Sequence, residues 1–106
     1  MVDELPGNHP QKALLATYKK DYEARFKDDV STFGGHAYDA VLVLKKGIEG
    51  AGSTDPQKLR VAIENIKGLV GTAGVFSFST EDHNGLGLDA FEMLTVKDGK
   101  FTTYRK

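Results

Sequence analysis

The run Ser31-Thr32-Phe33-Gly34-Gly35-His36-Ala37-Tyr38-Asp39-Ala40 gathers an aromatic ring, an imidazole and a phenol around two glycines. Phe33 offers a flat apolar wall. Tyr38 donates or accepts one hydrogen bond, and His36 does either according to its tautomer. None of the three is an activated nucleophile, so the chemistry they suit is recognition of a small molecule, and no residue is assigned a catalytic role. The pattern reads as a β-type segment that reaches Gly34-Gly35 and turns into an apolar helix from near Tyr38. In open α/β folds, small ligands bind outside the strand ends at such junctions. The same residues also read as a tight turn with Phe33 and Tyr38 packed in a core.

Other chemistry finds less support. His9, His36 and His83 are far apart in sequence and have no partner ligand at helical spacing, whereas zinc needs three or four convergent ligands. No metal site and no cofactor are expected. Asp82-His83-Asn84-Gly85 resembles the start of a calcium loop, but glycine falls at the fourth place instead of the sixth, and Met93 stands where the bidentate glutamate belongs. Gly68, Gly71 and Gly74 lack the order of a dinucleotide fingerprint and follow a helical pattern, not a strand. The chain has no cysteine, which removes thiolate catalysis and cysteine-based zinc sites. It also has no G-x-S-x-G elbow. An enzyme is the least supported class.

Composition bounds the rest. The 106 residues suffice for one ordinary domain, and the 40% hydrophobic and 27% charged fractions are those of a globular protein. Fourteen basic against 15 acidic residues leave a net charge of -1, without the basic footprint of a nucleic-acid binder. No apolar run is long enough to span a membrane, and no leader pattern opens the chain.

Several elements must position the Phe33 region. Leu14, Tyr18, Tyr22 and Phe26 recur every fourth residue, with Leu15 beside them, predicting an amphipathic helix over about 10–26 opened by Pro10. A second helix is expected over about 36–49, with Asp39 in its first turn at the positive end of the dipole. Val41, Leu42, Val43, Leu44 and Ile48 make it apolar over more than half its circumference, so burial on more than one side is expected. Asp55-Pro56 opens a third helix over about 56–67. Val75 to Ser79 alternates as a strand with Phe76 and Phe78 on one face. After a polar loop over 80–88, Phe91–Val96 and Phe101–Tyr104 read as strands joined by an Asp98-Gly99 hairpin turn. The fold class is α/β: three helices plus a short antiparallel β-hairpin or meander.

The order of these pieces resembles a known family. The residues that carry the likeness are Leu5-Pro6, His9 to Ala13, Tyr22-Glu23-Ala24, Ser31 to Ala40, Gly50 to Pro56, Gly71 to Phe76, Asp82 to Leu86 and Val96 to Phe101. Together they are similar to the C-terminal part of a periplasmic (type I) substrate-binding protein of the branched-chain amino-acid ABC transporter family.

The resemblance implies a fragment of a two-lobed fold, about the last quarter to third. Residues of about 1–70 would be the helical part of one lobe, and about 71–106 the hinge crossing and strands of the other. It implies a periplasmic or extracytoplasmic home, which accounts for the absent leader. It implies an amino acid or another aromatic or aliphatic carboxylate as ligand, bound between lobes that close by hinge motion. A membrane permease would be the partner, and no nucleic acid is expected. The family's cleft-lining aromatic corresponds to Phe33, with His36 and Tyr38 carried beside it. A ligand-sensing domain of a signalling receptor shares the fold, and a ligand-free interaction module is a third class. The strands expected to cover the second and third helices would lie upstream, so self-association of this chain is expected, through exchange of its C-terminal strands.

Overall fold

The computed structural model describes residues 2–105. A 3-10 turn at Val2–Glu4 leads to helices α1 (Lys12–Phe26), α2 (Thr32–Ala51) and α3 (Pro56–Glu64). Two short strands, β1 (Leu69–Val70) and β2 (Val75–Phe76), pair antiparallel. A second 3-10 turn at Leu88–Ala90 precedes β3 (Leu94–Lys97) and β4 (Lys100–Thr103), which form a separate antiparallel hairpin. The architecture is therefore three helices with two small antiparallel strand pairs.

Local chemistry explains most element ends. The aromatic stripe of α1 stacks on itself, with Tyr18–Tyr22 and Tyr22–Phe26 centroids 5.9 and 4.8 Å apart. Asp55 caps α3 by accepting from the Lys58 N–H at 3.1 Å, with Pro56 opening the helix. Gly52 closes α2 in the left-handed region at φ 60°. Asp98 and Gly99, at φ 52° and 73°, make the hairpin turn in which both central residues take positive φ.

The start of α2 departs from expectation. No strand runs into Gly34-Gly35, and both glycines lie inside the first turns of a helix that begins at Thr32. The cause is Ser31, whose extended backbone and side-chain oxygen cap the helix by accepting from the Gly34 N–H at 3.3 Å. Asp39 consequently lies two turns inside α2, away from the dipole's positive end. The glycines serve close packing: a Cβ on Gly34 would meet the Tyr18 hydroxyl at 2.9 Å, and one on Gly35 the Thr72 Oγ1 at 2.7 Å. Further along, a Cβ on Gly47 would stand 2.7 Å from Ile63, so α3 seats directly on the backbone of α2.

The core is small. Ile66, Phe76 and Phe78 are buried, with Val43, Ile63, Leu69, Ala73 and Leu86 packed around them. The Phe76 and Phe78 rings stack at 5.8 Å, on the shared face that the alternation of 75–79 predicts. The strand itself ends at Phe76, because the Phe78 N–H turns to the Ile66 carbonyl at 2.9 Å. The burial expected on more than one side of α2 is not found within this chain, where Val41 and Leu44 stay exposed.

Candidate functional site

The β1–β2 loop, residues 71–74, is held from two sides. Asp39 reaches it from α2, 2% exposed. Its Oδ1 accepts from the Thr72 N–H at 2.6 Å, and its Oδ2 accepts from the Thr72 hydroxyl at 3.1 Å and the Ala73 N–H at 2.8 Å. Gln11, just before α1, donates through Nε2 to the Gly71 and Thr72 carbonyls at 2.9 and 3.1 Å. Donors and acceptors of the loop are thus satisfied by opposite partners. Charge-assisted bonds of this kind are the stronger sort. Gly71 is required at close quarters, since a Cβ there would lie 2.7 Å from the Phe76 ring and 2.9 Å from the Asp39 carboxylate.

Beside this clamp opens a cleft of about 660 Å³. Leu15, Tyr18, Phe33, Thr72, Phe91 and Arg105 are among its walls. Phe33 sits in the first turn of α2 and is 87% exposed. Within this chain Phe33 packs in no core. Phe91 is likewise exposed. Exposed aromatic walls with a few convergent polar groups suit recognition of a small molecule.

Of the three residues expected at the site, the cleft takes in Phe33. His36 is exposed and does not line it. Tyr38 packs on Tyr18, ring centroids 5.1 Å apart, and does not line it either. The helical start at Thr32 turns position 38 well away from position 33, whereas position 36 lies one turn on from Phe33 along the same side of α2, beyond the cleft lining.

The charge around the cleft is mixed. Glu4, Asp89 and Glu92 share its walls with Lys19 and Arg105. Arg105 donates to the Glu4 carbonyl at 2.8 Å, and the Thr103 N–H donates to the Glu4 carboxylate at 3.3 Å. Hydrogen bonding from the Thr103 side chain is the largest cause holding the Glu4 carboxyl below its ordinary range. Burial pushes the Tyr18 phenol upward, helped by Tyr22, Asp39 and Tyr38.

Among the described residues no group of three or more His, Asp or Glu side chains is placed to hold a metal ion. None of their helices is long and apolar enough to cross a membrane. Sequence reading did not find Gln11, Phe91 or Arg105, nor the clamping role of Asp39. Each depends on a partner distant in the chain, and no local spacing signals it. A larger groove of about 790 Å³ lies away from this cleft, between the C-terminal half of α2 and α3.

Comparison with known proteins places this geometry. A family model described as periplasmic binding protein matches residues 6–100. An extracellular ligand-binding receptor from Rhodopseudomonas palustris HaA2 superposes with a TM-score of 0.82 at 28% identity, covering 98% of this chain and 31% of that one. A periplasmic binding protein type 1 from Bordetella pertussis Tohama I gives a TM-score of 0.72 at 33% identity, covering 92% of this chain and 30% of that one. A leucine binding protein, LivK, from Thermotoga maritima MSB8 shares the fold, with a TM-score of 0.69 at 19% identity, covering 99% of this chain and 28% of that one. The chain thus spans about a third of the length of the structures it matches. A search of the curated proteins found no match.

Proposed function

The chain belongs to the periplasmic binding protein family, and from that premise we propose that it supplies part of the ligand cleft of an extracytoplasmic solute-binding protein serving an ABC importer. The ligand class is a small carboxylate: an amino acid, or another aromatic or aliphatic acid. The leucine binding protein among the structural relatives supports the amino-acid choice. The observation that carries the reading is the exposed Phe33 ring at the cleft, next to a loop made rigid by Asp39 and Gln11.

Recognition follows from that arrangement. Phe33 presents an apolar face to the ligand side chain, and the clamped loop keeps Thr72 and its backbone in one position. Preorganised walls lower the ordering cost of binding. His36 and Tyr38, outside the cleft lining, enter the reading as flanking contacts. Residues of about 1–70 belong to one lobe, and those of about 71–106 cross the hinge and join the other. Ligand contacts from both lobes would favour the closed state, which a membrane permease then reads. The work is binding and closure, without chemistry.

The test is calorimetric titration of the two-lobed protein with leucine, phenylalanine, benzoate and acetate. Binding of one of these acids, weakened about tenfold or more by Phe33→Ala, is the expected result, since a buried aromatic contact contributes about 1.5–3 kcal/mol. Binding of none, or binding indifferent to Phe33, overturns the reading. Ligand sensing uses the same site, and the receptor among the relatives makes it the second reading. Uptake of the labelled ligand that depends on the protein decides for transport.

A further inference from the structure

Asn84-Gly85 belongs to the polar turn that fits no calcium loop, and neither residue lines the cleft. An asparagine followed by glycine carries a reaction of its own. Glycine has no side chain to shield its backbone nitrogen, so that nitrogen reaches the amide carbon of the preceding asparagine. The chain's other asparagines, Asn8 and Asn65, precede His9 and Ile66, whose side chains crowd that approach. Asn65 is also tied, its Nδ2 donating to the Val61 carbonyl at 2.9 Å. Asn84 is exposed, and its side chain makes no hydrogen bond among the described residues.

The turn also holds a restraint. Asp82 Oδ1 accepts from the Asn84 N–H at 2.9 Å and from the Gly85 N–H at 3.2 Å. The second bond occupies the nitrogen that would attack. Gly85 is fixed further: its φ is 75°, its carbonyl accepts from the Ser77 N–H at 2.9 Å, and a Cβ on it would lie 2.6 Å from the Phe78 ring. Phe78 is one of the buried core residues. All these groups lie between Ser77 and Gly85, so the arrangement is set within one short segment.

We propose that Asn84 is a site of spontaneous deamidation and that Asp82 gates it. When the bond from Gly85 to Asp82 opens, the Gly85 nitrogen gives its proton to water and attacks Asn84 Cγ. A C–N bond forms, the Cγ–Nδ2 bond breaks, and the leaving nitrogen takes up a proton and departs as ammonia. The product is a succinimide. Water then opens that ring at either carbonyl, leaving aspartate or isoaspartate, with no change of oxidation state. Isoaspartate inserts a methylene into the backbone just before Gly85. Gly85 has no slack against Phe78, so the change reaches the core.

The experiment ages the two-lobed protein for weeks in mildly alkaline buffer at body temperature and follows each asparagine by peptide mass spectrometry. Asn84 is expected to convert ahead of Asn8 and Asn65, and faster in urea than in the folded protein. Asp82→Ala is expected to speed the folded rate about two- to tenfold, the factor that one hydrogen bond represents. An unchanged rate in folded Asp82→Ala overturns the gate. Should that variant fail to fold, the parent decides, since equal rates at Asn84 folded and in urea overturn the gate as well. The modified fraction, separated by ion exchange, is expected to melt below the parent, and an equal melting point overturns the link to Phe78. Asn84 still intact in the folded protein after the urea sample has converted overturns the site itself, as does earlier conversion of Asn8 or Asn65.

Discussion

Asp39 and Thr72, 33 residues apart, form a two-point contact: one carboxylate oxygen takes the Thr72 N–H and the other takes its hydroxyl. The contact joins α2 to the β1–β2 loop and brings the loop to the wall of the cleft. Asp39→Ala would strand the N–H groups of Thr72 and Ala73 with no acceptor. Buried bonds to a charged group are each worth about 1.5–3 kcal/mol, so a loss of about 3 kcal/mol in urea denaturation is expected. Asp39→Asn keeps one acceptor and should lose roughly half as much. A midpoint unchanged by Asp39→Ala would show that the clamp does not stabilise the fold.

Two glycines of α2 separate packing from propensity. Alanine is favoured over glycine in a helix by about 1 kcal/mol. At Gly50 the added Cβ makes ordinary contact with Ala62 at 3.7 Å, so Gly50→Ala should stabilise by about that amount. At Gly35 it meets Thr72 Oγ1 at 2.7 Å, and that oxygen is tied to Asp39. Overpacking costs about 1–3 kcal/mol and exceeds the propensity gain, so Gly35→Ala should destabilise. Opposite signs in thermal unfolding check the pair, and equal signs would contradict the close approach at Gly35.

Phe33 has almost no packing to lose. Phe33→Ala should therefore move the unfolding midpoint by less than about 0.5 kcal/mol, the usual range for a surface change. Its effect belongs to ligand affinity. A variant that unfolds more easily than the parent by about 2 kcal/mol would place Phe33 in a structural role and not at a binding wall.

Tyr18 sets a pH limit. Burial and the neighbouring Tyr22, Asp39 and Tyr38 raise its phenol above the ordinary value. A group whose folded pKa is raised stabilises the fold fully below its unfolded value, about 10 for tyrosine, and loses that contribution as pH rises through the folded value. Absorbance titration of the phenolates is the measurement. Tyr18→Phe should remove amplitude from the alkaline end of the curve, and a loss from its lower half would reverse the assignment.

Much of the fold was legible in the chain. The every-fourth aromatic stripe predicts α1 over about 10–26 and the helix spans Lys12–Phe26. Asp55-Pro56 marks the start of α3, and Asp98-Gly99 marks the hairpin turn. The junction at Gly34-Gly35 was misread because adjacent glycines usually break regular structure, and here they admit Tyr18 and Thr72 instead. The cleft was legible at Phe33 alone, since Gln11 and Phe91 come to it from distant parts of the chain.

The division follows the range of the forces. Periodicity, caps and turn residues act within a few positions, so α1, the start of α3, the hairpin turn and the shared face of Phe76 and Phe78 could be read from local pattern. Contacts between residues far apart decided the rest. The bond from the Thr103 N–H to Glu4 spans nearly the whole chain, and the clamp at Asp39 joins a helix to a loop beyond the next helix. Such contacts leave no local pattern, because they depend on how the elements pack. Tertiary structure therefore placed Phe33 at the cleft wall, buried Asp39, and left Val96 and Phe101 of the last hairpin exposed within this chain.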